Sequence, residues 1–140
     1  MKFIPQDSQF VPGPKRVFVF GSNLAGIHGA GAAKTALEQY GAIWGKGEGF
    51  AGNSYAIPTK NGMLNTLPLD EIRKYVSRFL EFAKICPDLT FFVTRIGCGL
   101  AGLTDYDIAP MFEDAPSNCE LPLGWRGFVE TYGRFMPIRL

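Results

Sequence analysis

The stretch Arg16–Gly31 has the sequence RVFVFGSNLAGIHGAG, and it decides the fold. Its residues 17–20 are all apolar, Gly21 ends the run, and a glycine-rich loop is predicted to follow. An unbroken apolar run of this length is typical of a strand buried on both faces, as in a parallel sheet covered by helices. A helix is predicted next, because four residues share one helical face: Ala33, Ala36, Leu37 and Tyr40. Together these features predict the first half of a βαβ unit.

A second strand and glycine loop lie further along the chain. The apolar stretch Leu89–Thr94 predicts another buried strand, and it leads into the sequence RIGCGLAG at residues 95–102. The clearest helix precedes this strand, beginning at Pro68 and ending before Pro87. It carries the apolar stripe of a helix packed on a sheet: Ile72, Tyr75, Val76, Phe79, Leu80 and Ala83.

Weaker patterns complete the expected domain. They predict a short strand at Tyr55–Ile57 ended by Pro58, a short helix over residues 107–113, and an edge strand near Cys119–Leu121. A chain of 140 residues fits one domain. We expect a single α/β domain with a core over residues 16–121 and a packed C-terminal tail over residues 122–140.

Composition limits the classes of function. The chain has 14 basic and 13 acidic residues, and this balance does not favour a surface built to neutralise nucleic-acid phosphates. No apolar run approaches the ~20 residues of a membrane span, and residues 1–7 lack a signal-peptide pattern. We therefore expect a cytoplasmic protein that binds neither nucleic acid nor membrane.

The few cysteines and the single histidine exclude several chemistries. Cys86, Cys98 and Cys119 form no CxxC pair, which argues against a disulfide framework and against a zinc ribbon. His28 is the only histidine, so no HExxH zinc site exists, and no serine lies in a GxSxG elbow. No spacing indicates a metal site built from carboxylates. We expect neither a metal nor a cofactor.

The two glycine-rich loops predict an anion site. Each follows a buried strand, and ligands of open α/β sheets bind at that carboxyl edge. Glycines let backbone N–H groups approach an anion, and a helix N-terminus adds a favourable dipole. Two such loops side by side predict a diphosphate site; the alternative is that the glycines only serve turns and helix ends. Neither loop has the Walker A or the GxGxxG pattern.

Several of these segments, in their order along the chain, resemble a macro domain: Asn23, the GAG of residues 29–31, the YAIPTK of residues 55–60 and the RIGCGL of residues 95–100. The resemblance covers roughly residues 17–113. It is closest to the branch containing the glycohydrolases that remove terminal ADP-ribose from glutamate side chains. It implies a mixed sheet sandwiched between helices, with ADP-ribose in a cleft whose two loops hold the diphosphate and the distal ribose.

The resemblance also implies roles for single residues. The matches to the two phosphate loops are Gly29, Ala30 and Gly31 in the first and Gly97, Cys98, Gly99 and Leu100 in the second. Lys60 falls on the lysine that is the nucleophile of that hydrolase branch, and Ala101 stands where the branch has its catalytic aspartate. Asp105 or His28 would then handle protons, and Asn23 would hydrogen-bond a ribose hydroxyl.

Each candidate also has a structural explanation. Lys60 precedes an Asn-Gly turn, where an exposed lysine is ordinary. His28 could face solvent in its loop, Cys98 could pack instead of acting as a nucleophile, and Asn23 could cap its own turn. Asp107 could cap the helix that follows it.

Two further segments bear on the ligand. Residues 41–52 contain five glycines and predict an ordered loop. Its aromatic residues Trp44 and Phe50 either stack on a base or, as we expect, fill the core. Asp7 is the candidate for the acidic residue that commonly contacts adenine in the family.

The sequence therefore predicts a domain that binds ADP-ribose, or a related NAD-derived nucleotide, with an ADP-ribosylated protein as a further partner. In the enzyme version, Lys60 attacks the anomeric carbon of the ribose. The alternatives are a non-catalytic binding module and an interaction scaffold whose cleft has drifted. Alanine at position 101, and at positions 32 and 33 where another hydrolytic branch carries an aspartate, favours the binding module.

Overall fold

The apolar runs form the centre of a six-stranded sheet in the computed structural model, which describes residues 1–5 and 7–131. The strands are β1 (Lys2–Ile4), β2 (Arg16–Asn23), β3 (Gly49–Ala51), β4 (Ser54–Lys60), β5 (Thr90–Val93) and β6 (Cys119–Pro122). Their order across the sheet is β1-β6-β5-β2-β4-β3. All neighbours are parallel except β3, which pairs antiparallel with β4. The carboxyl ends of the parallel strands therefore meet at one edge of the sheet.

Helices cover both faces of this sheet. The α-helices are α1 (Gly31–Gln39) after β2, α2 (Leu69–Ile85) after β4 and α3 (Asp105–Ile108) after β5. Shorter helical turns lie at Ala109–Phe112, Leu123–Trp125 and Gly127–Thr131. The described residues thus form one α/β domain with a mixed sheet, which confirms the predicted class.

The alternating side chains of β2 divide the core into two clusters. Val17 and Val19 face the cluster under α2, whereas Phe18 and Phe20 face the cluster under α1. The predicted stripe of α2 is buried at five positions: Ile72, Val76, Phe79, Leu80 and Ala83. Burial of a side chain such as Phe79 stabilises the fold by about 1.5–3 kcal/mol. Both packed faces therefore hold the strands, and with them the carboxyl edge, in place.

Two strands run further than their sequence patterns predict. β2 continues through Gly21 to Asn23, and β4 continues through Pro58 to Lys60. Proline is tolerated in β4 because β3 pairs only with residues 54–56, so the outer side of Pro58 has no ladder hydrogen bond to lose. Both extensions carry candidate residues to the carboxyl edge.

A strand lies where the sequence predicts one, at Cys119–Pro122, but the expectation that it is an edge strand is wrong. β6 pairs with β5 on one side and with β1 on the other, so β1 forms the edge. A strand of three residues is too short for side-chain alternation to reveal it. The expectation that Trp44 and Phe50 fill the core is also wrong. Trp44 is 59% exposed, and Phe50 packs on Phe82 at the surface.

The described part of the predicted C-terminal tail contacts the domain. Trp125 and Val129 are buried, and Phe128 packs on Tyr106. Residues 132–140, which include two aromatic residues expected to pack here, lie outside the described residues. Within the described ranges, no helix is long and apolar enough to cross a lipid bilayer.

Candidate functional site

Two glycine loops leave neighbouring strands at the carboxyl edge of the sheet. The first glycine loop, residues 24–30, connects β2 to α1, and the second, residues 94–104, connects β5 to α3. Because β2 and β5 are paired, the loops start side by side. They also touch further out, since a Cβ built on Gly31 would lie 3.6 Å from Cδ1 of Leu100. The structure therefore brings the two predicted phosphate loops together.

Each glycine loop presents a row of backbone N–H groups. Within the part of the chain that the structure describes, the N–H groups of Gly29–Gly31 and of Gly99–Ala101 have no hydrogen-bond acceptor. The first row opens α1, whose N-cap Ala30 has no side chain that could cap the helix. Such N–H groups at a helix N-terminus bind anions. The first row therefore has the position of a helix N-terminal anion site, and the second row lies beside it.

Asn23 fixes the shape of the first glycine loop. Its side-chain Nδ2 donates to the carbonyl of Ile27 at 2.8 Å, and its Oδ1 accepts from the Ile27 N–H at 2.9 Å. Its backbone carbonyl accepts from the N–H of Gly26 at 3.0 Å. Both ends of the buried amide are therefore used inside the loop. These contacts match the alternative in which Asn23 caps its own turn. The amide is already hydrogen-bonded within the loop, so it is not free for the expected contact with a ribose hydroxyl.

A second segment, residues 42–47, supports the first glycine loop from behind and is called the backing loop here. A Cβ on Gly47 would lie 2.2 Å from the carbonyl oxygen of Asn23, and a Cβ on Gly26 would lie 2.3 Å from the carbonyl carbon of Gly45. The Ser22 hydroxyl also donates to the carbonyl of Gly47. Glycines within residues 41–52 therefore allow two backbones to touch, which explains in part why glycine is so frequent in this segment.

His28 lies beneath the first glycine loop, with 1% of its surface exposed. Its Nε2 lies 3.0 Å from the carbonyl oxygen of Lys46 in the backing loop, and its ring packs edge-on against Phe20. Its Nδ1 is buried without a hydrogen-bond partner among the described residues. The alternative of a solvent-facing histidine is wrong. The predicted proton-transfer role is not supported either, because a ring this buried does not contact a ligand in the cleft.

The second glycine loop is anchored on Asp105. The Arg95 guanidinium donates to both carboxylate oxygens at 3.0 Å, in a bidentate pair. The indole N–H of Trp125 donates to Oδ1 at 2.8 Å, and the Cys98 thiol donates to the same oxygen at 3.4 Å. The carboxylate therefore ties the start of the loop, its middle and the segment after β6 together. Among the described residues, no three His, Cys, Asp or Glu side chains form a metal-binding group.

These contacts determine two pKa values. Burial opposes ionisation of Asp105, but the hydrogen bonds from Arg95, Trp125 and Cys98 outweigh it and hold the pKa of this carboxyl below its usual value. Burial and the hydrogen bond to Asp105 raise the pKa of the Cys98 thiol to about 12. At neutral pH the site therefore contains an ionised, fully engaged carboxylate and a protonated thiol. This agrees with packing, and not nucleophilic attack, as the role of Cys98.

Lys60 ends β4 beside the first glycine loop. It is paired with Asn23 in the strand register, and its carbonyl accepts from the Leu24 N–H at 3.0 Å. Its ammonium group forms no ion pair or hydrogen bond with any residue that the structure describes. Six residues later, the Thr66 hydroxyl donates to the carbonyl of Ala101 at 2.8 Å. Lys60 is thus connected to the first loop directly and to the second through residues 61–66.

A cavity of about 240 Å³ lies at the same edge, on the opposite side of the second glycine loop from Lys60. Its walls come from the ends of β1, β5 and β6 and from the segment after β1; they include Ile4, Ser8, Phe92, Thr94, Arg95 and Pro122. Asp7, the candidate for the adenine contact, is exposed, and its neighbour Ser8 lines the cavity. Sequence reasoning missed this cavity because β1 has no recognisable pattern.

Comparisons of the chain with protein-family models, with curated proteins and with solved structures found no match. The geometry of the carboxyl edge is therefore what indicates a function for this chain.

We predict that Asp105→Asn destabilises the protein by about 2–3 kcal/mol, because charge-assisted hydrogen bonds from three donors are weakened together. The pKa of Asp105 is lower in the folded than in the unfolded protein, so its stabilising effect is present above the unfolded pKa and is lost as the pH falls through the folded pKa. Urea unfolding at several pH values should therefore show a weaker acid dependence in the variant. The matched control is Asp88→Asn, at an exposed carboxylate. Equal stability of parent and Asp105→Asn would contradict the anchoring role.

Proposed function

We propose that this chain is a macro-domain-like protein that binds ADP-ribose, or a closely related NAD-derived nucleotide, between its two glycine loops. The observation that carries the proposal is the pair of adjacent N–H rows, Gly29–Gly31 and Gly99–Ala101, without a protein acceptor among the described residues. Backbone N–H groups at a helix N-terminus hold phosphate without a cationic side chain. Two adjacent rows suit two linked phosphates and therefore a diphosphate.

The strand order supports a ligand that extends beyond the diphosphate. The cavity lies at β1, β6 and β5, the glycine loops leave β5 and β2, and Lys60 ends β4. Neighbouring strands are about 4.8 Å apart, so β6 and β4 are separated by about 14 Å. This distance is comparable with the length of an extended nucleoside diphosphate sugar. In the proposed complex the base occupies the cavity beside Phe92, and the distal ribose lies near Lys60.

Hydrolysis of an ADP-ribosyl linkage is the second candidate function, and the position of Lys60 favours it. An amine that has lost its proton could attack the anomeric carbon and displace the glutamate carboxylate linked there, and water would then release ADP-ribose from the lysine. The groups expected to handle protons are less suitable, because Asp105 is engaged by three donors and His28 is buried. Ala101 offers no carboxylate. Binding is therefore the primary proposal.

We predict that Gly29→Val and Gly99→Val each weaken ADP-ribose binding by about 10- to 100-fold, the equivalent of one charge-assisted hydrogen bond. A Cβ at either position meets no atom within 4 Å, and neither glycine has a positive φ, so both variants should fold. The added branch would instead occupy the space in which phosphate approaches the N–H rows. Isothermal titration calorimetry measures the affinity, and thermal unfolding checks the fold.

Other glycines make useful controls for this experiment. Gly13→Val places the same side chain at the opposite end of β2, where the added Cβ would lie 3.7 Å from Cδ of Arg16, an ordinary contact distance, and it should bind like the parent. Gly97→Val should destabilise the fold instead, because φ is +75° there and Ile108 lies 3.3 Å from the added Cβ. Parent-like affinity in both Gly29→Val and Gly99→Val would contradict the phosphate-loop assignment.

Substitutions of Lys60 distinguish an enzyme from a non-catalytic binding module. If Lys60 is a nucleophile, Lys60→Ala should abolish the release of ADP-ribose from a modified protein while its affinity for free ADP-ribose changes less than about tenfold. Lys60→Arg should also be inactive, because a guanidinium stays protonated and cannot attack. Release is measured with a substrate carrying ADP-ribose on glutamate.

The expected parent activity on this substrate is slow or absent, because Ala101 stands where the hydrolase branch carries its aspartate. Ala101→Asp should raise the activity, and Leu100→Asp, one position earlier, is the matched control. If the parent and Ala101→Asp are both inert but bind ADP-ribose, the protein is a binding module. Full activity of Lys60→Ala would show that Lys60 is not the nucleophile.

A further inference from the structure

Seven large apolar side chains are exposed on the loops around the Lys60 end of the cleft. They are Leu24, Ile27, Ile43, Trp44, Met63, Leu64 and Leu100, and together they are called the apolar collar. The loops that carry them are in mutual contact. A Cβ on Gly62 would lie 3.9 Å from Cβ of Ala25, and Gly26 packs against Gly45. The hydrogen bond from Thr66 to Ala101 joins the remaining loop.

The most exposed side chain of the collar, Met63, lies on a strained turn over residues 61–65, the tip loop. Leu64 has φ = +65°, a left-handed conformation that is unfavourable for a branched apolar residue. The turn is held by Asn61, whose Oδ1 accepts from the N–H groups of Met63 at 2.9 Å and Asn65 at 3.0 Å. The Asn61 N–H donates to the carbonyl of Asn65 at 2.8 Å. Strain that is held in this way is typical of functional sites.

This arrangement keeps apolar side chains in water. Met63 is 83% exposed and Leu64 is 46% exposed, three and four positions after the candidate nucleophile Lys60. Neither side chain contributes to the two core clusters. Packing of the folded domain therefore does not explain them, and exposed apolar side chains grouped on adjoining loops are typical of interaction sites.

The charge of the collar restricts the partner. The loop segments 24–30, 42–47, 61–66 and 99–101 contain Lys46 but no Asp or Glu, and Lys60 adds a second cation. A free nucleotide has no apolar surface left for these side chains once its base and diphosphate are bound. Aliphatic side chains are equally poor partners for a nucleic-acid backbone, which is recognised by cations and hydrogen bonds. A polypeptide with apolar side chains and an attached anion fits both features.

We propose that the apolar collar docks the polypeptide to which the nucleotide is attached, by contacting an aliphatic or aromatic side chain next to the modified residue. The ligand of the cleft is then a protein-linked nucleotide, and the tip loop selects among carrier sequences. This inference rests on the proposed nucleotide binding. It assigns to Met63 and Leu64 a specificity role that the cleft itself does not need.

Stable ADP-ribosyl peptides test the proposal. One peptide carries leucine on both sides of the modified residue, and a second carries serine at the same positions. The parent should bind the leucine peptide about tenfold more tightly than the serine peptide, as expected for partial burial of one or two apolar side chains. Fluorescence anisotropy measures both affinities, and free ADP-ribose is titrated beside them.

The double substitution Met63→Ser with Leu64→Asn should abolish this preference while leaving the affinity for free ADP-ribose unchanged. The variant should also fold well, because asparagine tolerates the left-handed conformation that strains leucine. Leu64→Asn alone should raise the unfolding midpoint by about 2–5 °C. Ile85→Ser, at an exposed position of α2 outside the collar, is the matched control and should retain the preference.

The outcomes separate the two proposals. If free ADP-ribose does not bind the parent, the proposed function itself fails. If free ADP-ribose binds but the two peptides have equal affinities, the collar proposal alone fails. Tighter binding of an ADP-ribosylated oligonucleotide than of the leucine peptide would overturn it in favour of nucleic acid. A parent dimer that the double substitution dissociates would overturn it in favour of a second copy of the chain.

Discussion

The parallel pairing of β2 with β5 on one side and with β4 on the other is the constraint on which the site depends. Parallel strands end at the same edge, so the chain must leave all three strands next to one another. Because β2 is buried on both faces, a shift of register by one residue would exchange Val19 and Phe20 between the two core clusters. The core therefore fixes where the two glycine loops begin.

Glycine has two different uses around this edge. Gly26 and Gly47 let the first glycine loop and the backing loop pack backbone against backbone, at distances no side chain would permit. A Cβ on Gly29 or Gly99 would meet no atom within 4 Å, so these glycines leave the approach to the neighbouring N–H groups open. The first use makes the loop rigid, and the second keeps its outer surface accessible. A site that is already ordered before binding loses less entropy when the ligand arrives.

How well each element could be predicted from the sequence depends on how far apart along the chain its interacting residues lie. Local periodicity was enough for the two long helices and for the central strands β2 and β5. β1 and β3 have three residues each, which is too short for side-chain alternation to reveal a strand; β1 also pairs with the distant β6, whereas β3 forms a short hairpin with β4. The Asp105–Trp125 hydrogen bond joins residues 20 positions apart, so no local sequence pattern predicts it either. The burial of His28 depends on the backing loop, whose position no local pattern reveals.

Asp105 shows why a carboxylate close to a cleft need not take part in chemistry. A general acid must carry a proton near neutral pH, and a general base must have a free oxygen directed at its substrate. The lowered pKa of Asp105 excludes the first role, and the hydrogen bonds to Arg95 and Trp125 oppose the second. Freeing the carboxylate for catalysis would also release the second glycine loop. The same contacts that shape the second glycine loop, and with it the proposed diphosphate site, therefore work against the use of Asp105 in hydrolysis.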